Sequence, residues 1–192
     1  MQDLKTRTRD IKRTELAVAA FDLMVRHGYD ALTVEELAKG VGVSRATFFR
    51  YLGSKDEVAV AAMVEPTSAF AAAFADATSS QSLWDRIRAA FEPSVTSAEA
   101  DAERVRARIL MVRDHPELGD RLRRARMEQI ERLVDEMVEQ GEGRFAAEMV
   151  AAAAVALLDR CISRWAETTG QTLAALLDEA FAELSSRLGP RR

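Results

Sequence analysis

The residues best suited to chemistry lie between Thr33 and Lys55, where Ser44, Arg45, Thr47, Phe49 and Tyr51 follow one another on a segment that holds no acid. On a short helix such a set presents hydrogen-bond donors and aromatic groups together, which is what reading base edges in a DNA major groove requires. Arg45, near the end where a recognition helix meets the bases, suits a bidentate bond to guanine O6 and N7. Phe49 suits a thymine methyl, Thr47 and Tyr51 can donate to phosphates, and Lys55 can close on the backbone. Thr33 and Ser44 open the two helices concerned, and Lys5 and Arg7 belong to a basic opening stretch. The candidate DNA-contacting set is therefore Lys5, Arg7, Thr33, Ser44, Arg45, Thr47, Phe49, Tyr51 and Lys55.

Local sequence explains how these side chains would be positioned. Thr33-Val-Glu-Glu36 reads as a capping box, in which the threonine hydroxyl and the glutamate carboxylate satisfy amide donors at a helix start. The helix from about Val34 to Lys39 breaks at Gly40 to Val43, and Ser44 caps a helix of about two turns ending near Leu52. Ala38 is small enough for the two helices to cross closely, Gly42 can take the positive φ the turn needs, and Phe48 would anchor the second helix to the chain's first helix, which ends at His27. Leu37 and Val43 complete that small core. Ser54-Lys-Asp-Glu57 is a second capping box. The competing reading is an ordinary helical hairpin with Phe48 and Phe49 both inside, which the acid-free face and the agreement of caps and turn disfavour.

Charge supports a localised contact. The 192 residues carry a net −4, yet Lys5, Arg7, Arg9, Lys12 and Arg13 face only Asp3 and Asp10 in the opening thirteen. A basic arm on an acidic chain can meet phosphates at one place without general adhesion. The single cysteine, Cys161, excludes an intrachain disulfide, and His27 and His115 are too isolated to suggest a metal site, so no cofactor is expected. The longest uncharged apolar run, Met149 to Leu158, is too short to span a bilayer, and the N-terminus lacks a signal-peptide core; a soluble cytoplasmic protein is expected. There is no Gly-rich phosphate loop, nucleophile elbow or HExxH pair, which argues against an enzyme.

Ala, Leu, Glu and Arg dominate, with 9 Gly and 4 Pro, the composition of long helices. About nine are expected: Ile11 to His27, Val34 to Lys39, Arg45 to Leu52, one from Ser54 that Pro66 kinks or ends, and one from Leu83 through Phe91. Asp101 to Asp114, Leu118 to Gln140, Phe145 to Thr168 and Thr172 to Leu188 follow. The fold class is all-α, with a helix-turn-helix domain over 1–55 and a larger helical domain over 56–192. Met63, Phe70, Phe74, Trp84, Phe91, Met111, Met127, Met149 and Trp165 are candidates to line an apolar ligand site, with plain core packing as the alternative for each. The many arginines between Arg104 and Arg126 could hold an anionic head group or form solvated, Glu-paired faces. The last two helices carry broad apolar stripes, so Leu158, Leu177, Phe181 and Leu184 are candidates for a four-helix dimer interface, with internal core again the alternative.

Leu32-Thr-Val-Glu-Glu-Leu-Ala38, Gly42-Val-Ser-Arg-Ala-Thr-Phe-Phe-Arg-Tyr51 and Ser54-Lys55 together resemble the signature of TetR-type regulators over residues 10 to 60. The departure is Leu52-Gly53, where a Phe followed by Pro or another residue is commoner. The resemblance implies a homodimer on a pseudo-palindromic operator, usually a repressor, released when a small molecule enters the C-terminal domain. Arg108-Ile-Leu110, His115-Pro-Glu-Leu118 and Leu173 to Leu184 are similar to the subgroup with an acyl-CoA-like effector, which implies that an acyl-CoA or another apolar compound is the ligand. The rivals are an architectural helix-turn-helix protein without a ligand, which would not need some 130 further residues, and a helical enzyme.

Overall fold

The computed structural model describes residues 2–63, 67–77 and 82–188, with side chains left aside at residues 2–8, 10, 67–69, 71, 72, 129 and 188. Every regular element among them is a helix, in the order α1 (Gln2–His27), α2 (Val34–Gly40), α3 (Arg45–Tyr51), α4 (Lys55–Met63), α5 (Thr67–Asp76), α6 (Leu83–Ala90), α7 (Glu92–Ala100), α8 (Ala102–Arg113), α9 (Pro116–Glu139), α10 (Arg144–Glu167) and α11 (Leu173–Leu188). The all-helical expectation holds, with two segments more than foreseen. The expected helix from Ser54 is α4, α5 is an addition, and the kink or end expected at Pro66 lies outside the described residues. The other addition is α7, whose Pro93 sits in the first turn where its missing amide would have no partner anyway.

The helices gather into two compact units, residues 1–65 with 110–125, and residues 66–109 with 126–192. The first therefore takes in the start of α9 and the end of α8, beyond the 1–55 stretch read from sequence. In it Ala17, Ala20, Phe21 and Met24 of α1 pack with Leu37, Ala38, Phe48, Leu52 and Val58, and Leu118 and Leu122 of α9 join the same core. The second unit has its own core, built on Phe74, Ile87, Phe91, Val134, Met137, Trp165, Leu173, Leu177 and Phe181. Glu99 Oε1 accepts the Ala174 amide at 2.9 Å and so caps α11 across the fold of this unit.

Candidate nucleic-acid interface

The turn between α2 and α3 forms as its residue types require. Gly42 has φ +75°, in the left-handed region, and Ala38 and Leu37 are buried where α2 meets its neighbours. The Thr33 hydroxyl accepts the Glu36 amide at 3.2 Å while Glu36 Oε2 accepts the Thr33 amide at 2.8 Å, closing the capping box. These bonds, the backbone one first, hold the Glu36 carboxyl below its usual range. Ser44 Oγ accepts the Thr47 amide at 3.1 Å and lies 3.0 Å from the Thr47 hydroxyl. Thr33, Ser44 and Thr47 thus shape the helix starts before they meet any partner.

On α3, Phe48 turns fully inward, as expected, while Arg45, Phe49 and Arg50 face outward. Phe49 is 46% exposed, a large apolar group held in water next to polar neighbours, which rules out the hairpin reading with both phenylalanines inside. The Arg45 guanidinium lies 5.5 Å from the Phe49 ring centre and its Nε is 2.7 Å from Glu35 Oε1 on α2. Arg45 must therefore exchange Glu35 for a base to read DNA. Sequence reasoning missed Glu35, because nothing in the chain order marks a residue on α2 as a neighbour of one on α3.

Tyr51 is half-buried and carries Arg50 over its ring at 5.1 Å. Lys55 Nζ rests 4.6 Å above the Tyr29 ring, which aims the ammonium from the start of α4. The Tyr29 hydroxyl donates to Asp56 Oδ1, and burial followed by that carboxylate pushes the phenol above its usual range. At the second capping box Glu57 Oε2 accepts the Ser54 amide at 2.6 Å, which holds the Glu57 carboxyl low. Lys5 and Arg7 lie outside the residues whose side chains are described.

The expected ligand residues are divided between the two compact units. Phe70, Phe74, Trp84, Phe91 and Trp165 belong to the core of the second unit, where the Phe70 and Phe91 rings stand 5.0 Å apart and Trp84 and Phe181 4.4 Å apart. Two cations reach into it: Arg86 sits 4.3 Å over Phe74 and pairs with Glu142 at 3.1 Å, and Arg106 sits 4.6 Å over Trp165. Met63 and Met111 instead pack against the core of the first unit, and Met127 and Met149 are 58% and 51% exposed. Met127 and Met149 share helical spacing with core positions of the second unit but turn to solvent on other faces.

Of the four dimer candidates, burial corrects two, Leu177 and Phe181. Leu177 and Phe181 are buried inside their own subunit, where Trp84 Nε1 donates to the Phe181 carbonyl at 3.2 Å. Leu158 and Leu184 are half-buried. The apolar surface of α10 lies on another face, where Phe145 is 74% exposed and Met149, Ala152 and Ala156 continue the same helical row. An Ala-rich helix that is apolar on both sides gives a sequence stripe too broad to say which side is inside.

A family profile described as "Bacterial regulatory proteins, tetR family" matches residues 16–62, and one described as "MftR C-terminal domain" matches residues 81–189, more than half of the chain. The HTH-type transcriptional regulator TcmR of Streptomyces glaucescens is 41% identical over 69 residues, 35% of this chain and 30% of TcmR, so the chain spans under a third of that relative. Among solved structures, the fatty acid degradation regulator FadR of Bacillus halodurans aligns with TM-score 0.63 at 19% identity, over 93% of this chain and 97% of FadR. FadR of Bacillus subtilis, solved in complex with stearoyl-CoA, aligns with TM-score 0.59 at 17% identity, over 88% of this chain and 95% of that one. At these identities the two structures share the fold. No described helix is long and apolar enough to cross a membrane.

Proposed function

The chain belongs to the TetR family of bacterial regulatory proteins and carries an MftR-type C-terminal domain, and on that footing we propose that it acts as a cytoplasmic homodimeric repressor. It binds a pseudo-palindromic operator through α3 and is released by an apolar or acyl-CoA-like effector. The observation that carries this reading is α3 itself: a Ser44-capped helix whose outward face offers Arg45, Phe49 and Arg50 and no acid, while Phe48 fixes it from within. Arg45 reads a base, Phe49 presses on a thymine methyl, and Tyr51 and Lys55 hold phosphates.

Two-fold symmetry of the operator requires two copies of α3, and the exposed row Phe145, Met149, Ala152 and Ala156 supplies an apolar surface for pairing α10 with its mate. Small residues in that row allow close helix approach. For the effector, the aromatic group around Trp84, Phe91 and Trp165 offers apolar surface, and Arg106 over Trp165 offers a cation for an anionic head. The stearoyl-CoA held by a protein of the same fold supports this ligand class. α8 and α9 each contribute residues to both compact units, so they, together with α4, are the elements through which an effector would act on the DNA-reading helices.

The test is selection of bound duplexes from a random pool by the full-length protein, followed by a titration of the bound duplex with acyl-CoAs of several chain lengths. A two-fold symmetric site, lost on adding acyl-CoA with a matching rise in melting temperature, is the expected result. A pool with no enriched sequence overturns the DNA reading, and an enriched site untouched by every chain length overturns the effector.

A further inference from the structure

His115 stands at the corner between α8 and α9, and its two ring nitrogens meet different partners. Nδ1 lies 2.7 Å from the Met111 carbonyl oxygen. A carbonyl can only accept, so Nδ1 carries a hydrogen in either charge state, and the proton that comes and goes belongs to Nε2. Nε2 is 3.7 Å from Asp30 Oδ2, in the loop after α1. In the neutral ring a lone pair is set against a carboxylate, and nothing holds the two together. In the charged ring the same contact becomes an ion pair, and the ring then also places a cation at the carbonyl end of α8, which favours one.

The imidazole is joined to the DNA-contacting set through Tyr29. The Tyr29 and His115 rings stand 4.8 Å apart, and Lys55 Nζ rests 4.6 Å from the centre of the same Tyr29 ring. Of the other charges at this corner, Arg113 pairs with Asp114 at 3.1 Å, and Glu117 in the first turn of α9 adds an acid. Asp56 takes the Tyr29 hydroxyl on one oxygen and Arg121 on the other at 2.7 Å. Tyr29 keeps its proton near neutral pH, since burial and Asp56 push its phenol above the usual range. Imidazole, by contrast, is the side chain that ordinarily changes charge there. The chain's other histidine, His27, ends α1.

We propose that His115 is a proton-operated clasp: a proton taken up at Nε2 draws Asp30 and Tyr29 to the corner between α8 and α9, and so fixes the platform from which Lys55 reaches its phosphate. This rests on the reading of Lys55 as a phosphate contact. The charged form binds DNA more tightly, so affinity is highest below the imidazole range and falls as pH rises through it. By reciprocity, operator binding favours the protonated ring. The imidazolium and the Lys55 ammonium approach one aromatic ring and repel each other, but the Asp30 carboxylate beside Nε2 offsets that repulsion. The Asp30 side chain is 88% exposed, so the effect has the size of an exposed ion pair, up to about fivefold in affinity.

The experiment is an anisotropy titration of the selected operator by the full-length protein at fixed salt, repeated from about pH 5.5 to about pH 8. Wild type and His27→Gln should both lose affinity as pH rises, by up to about fivefold. His115→Gln keeps a polar side chain without a titrating group and should hold one weak affinity throughout. Asp30→Asn leaves the imidazole in place and should lose most of the pH dependence; because position 30 is on the surface, it tests the clasp even if position 115 tolerates no change. Lys55→Ala should bind more weakly and show a flat profile. A pH dependence that survives in full in His115→Gln, Asp30→Asn or Lys55→Ala overturns the proposal, as does a flat wild type. Failure of Lys55→Ala to weaken binding would instead overturn the reading of Lys55.

Discussion

Arg121 Nε on α9 stands 2.7 Å from Asp56 Oδ2 on α4, and the Tyr29 hydroxyl donates to the other oxygen of the same carboxylate. One acid therefore joins the early turns of α9, the start of α4 and the loop after α1, next to Lys55. The Tyr29 ring also faces His115 at 4.8 Å, just before α9 begins. Asp56→Ala leaves two donors without their acceptor and should cost about 1–3 kcal/mol. Arg121→Ala breaks a pair whose arginine side chain is 55% exposed and should cost under about 1 kcal/mol. Urea denaturation of both variants checks the ordering, and equal losses would contradict it.

Alkaline stability should follow Tyr29. Its phenol is pushed above the ordinary value of 10.0 by burial and by Asp56, so the folded chain holds that proton more tightly than the unfolded one. The corresponding stability is whole below the unfolded value and is lost as pH rises past it. Melting curves from neutral pH to about pH 11 should show a steeper alkaline decline for wild type than for Tyr29→Phe. Parallel curves would contradict the assignment.

Glu35 should restrain DNA binding. It holds Arg45 at 2.7 Å with both side chains more than half exposed, and breaking an exposed pair of this kind costs about 0.2–1 kcal/mol. Glu35→Gln should therefore tighten operator binding up to about fivefold. Anisotropy titration at fixed salt measures this, and weaker binding by the variant would show that Glu35 orients Arg45 and does not compete for it.

The two apolar faces of the last helices should separate by mutation. Leu177→Ala empties a fully buried site and should cost about 2–5 kcal/mol of subunit stability. Phe145→Glu with Met149→Glu alters surface only, and should give folded monomers by light scattering. Dimers that persist in the second variant would place the interface elsewhere.

How far the sequence carried these conclusions depended on whether a feature was local. Capping boxes, the glycine turn and the inward Phe48 are written in neighbouring residues, and Thr33, Gly42, Ser44 and Glu57 all take their expected parts. Which side of an Ala-rich helix is buried is not local: α10 has apolar residues on every side between Met149 and Leu158, and the stripe on α11 does not tell a core from an interface, so Leu177 and Phe181 read as surface while Phe145 went unmarked. Methionine misled for a similar reason, since it fits core, surface and pocket alike, and Met127 proves exposed. Glu35 with Arg45, and Asp56 with Arg121, are meetings between helices that no spacing announces.

The central claim is that α3 reads base sequence through Arg45, and the most direct test is the affinity of wild type and Arg45→Ala for the selected operator and for its single-base substitutions. Arg45→Ala should lose about 1–3 kcal/mol on the best site and become indifferent to one symmetry-related base position, while its affinity for scrambled DNA falls far less. Equal losses on operator and scrambled DNA, with the base preference intact at every position, would contradict it.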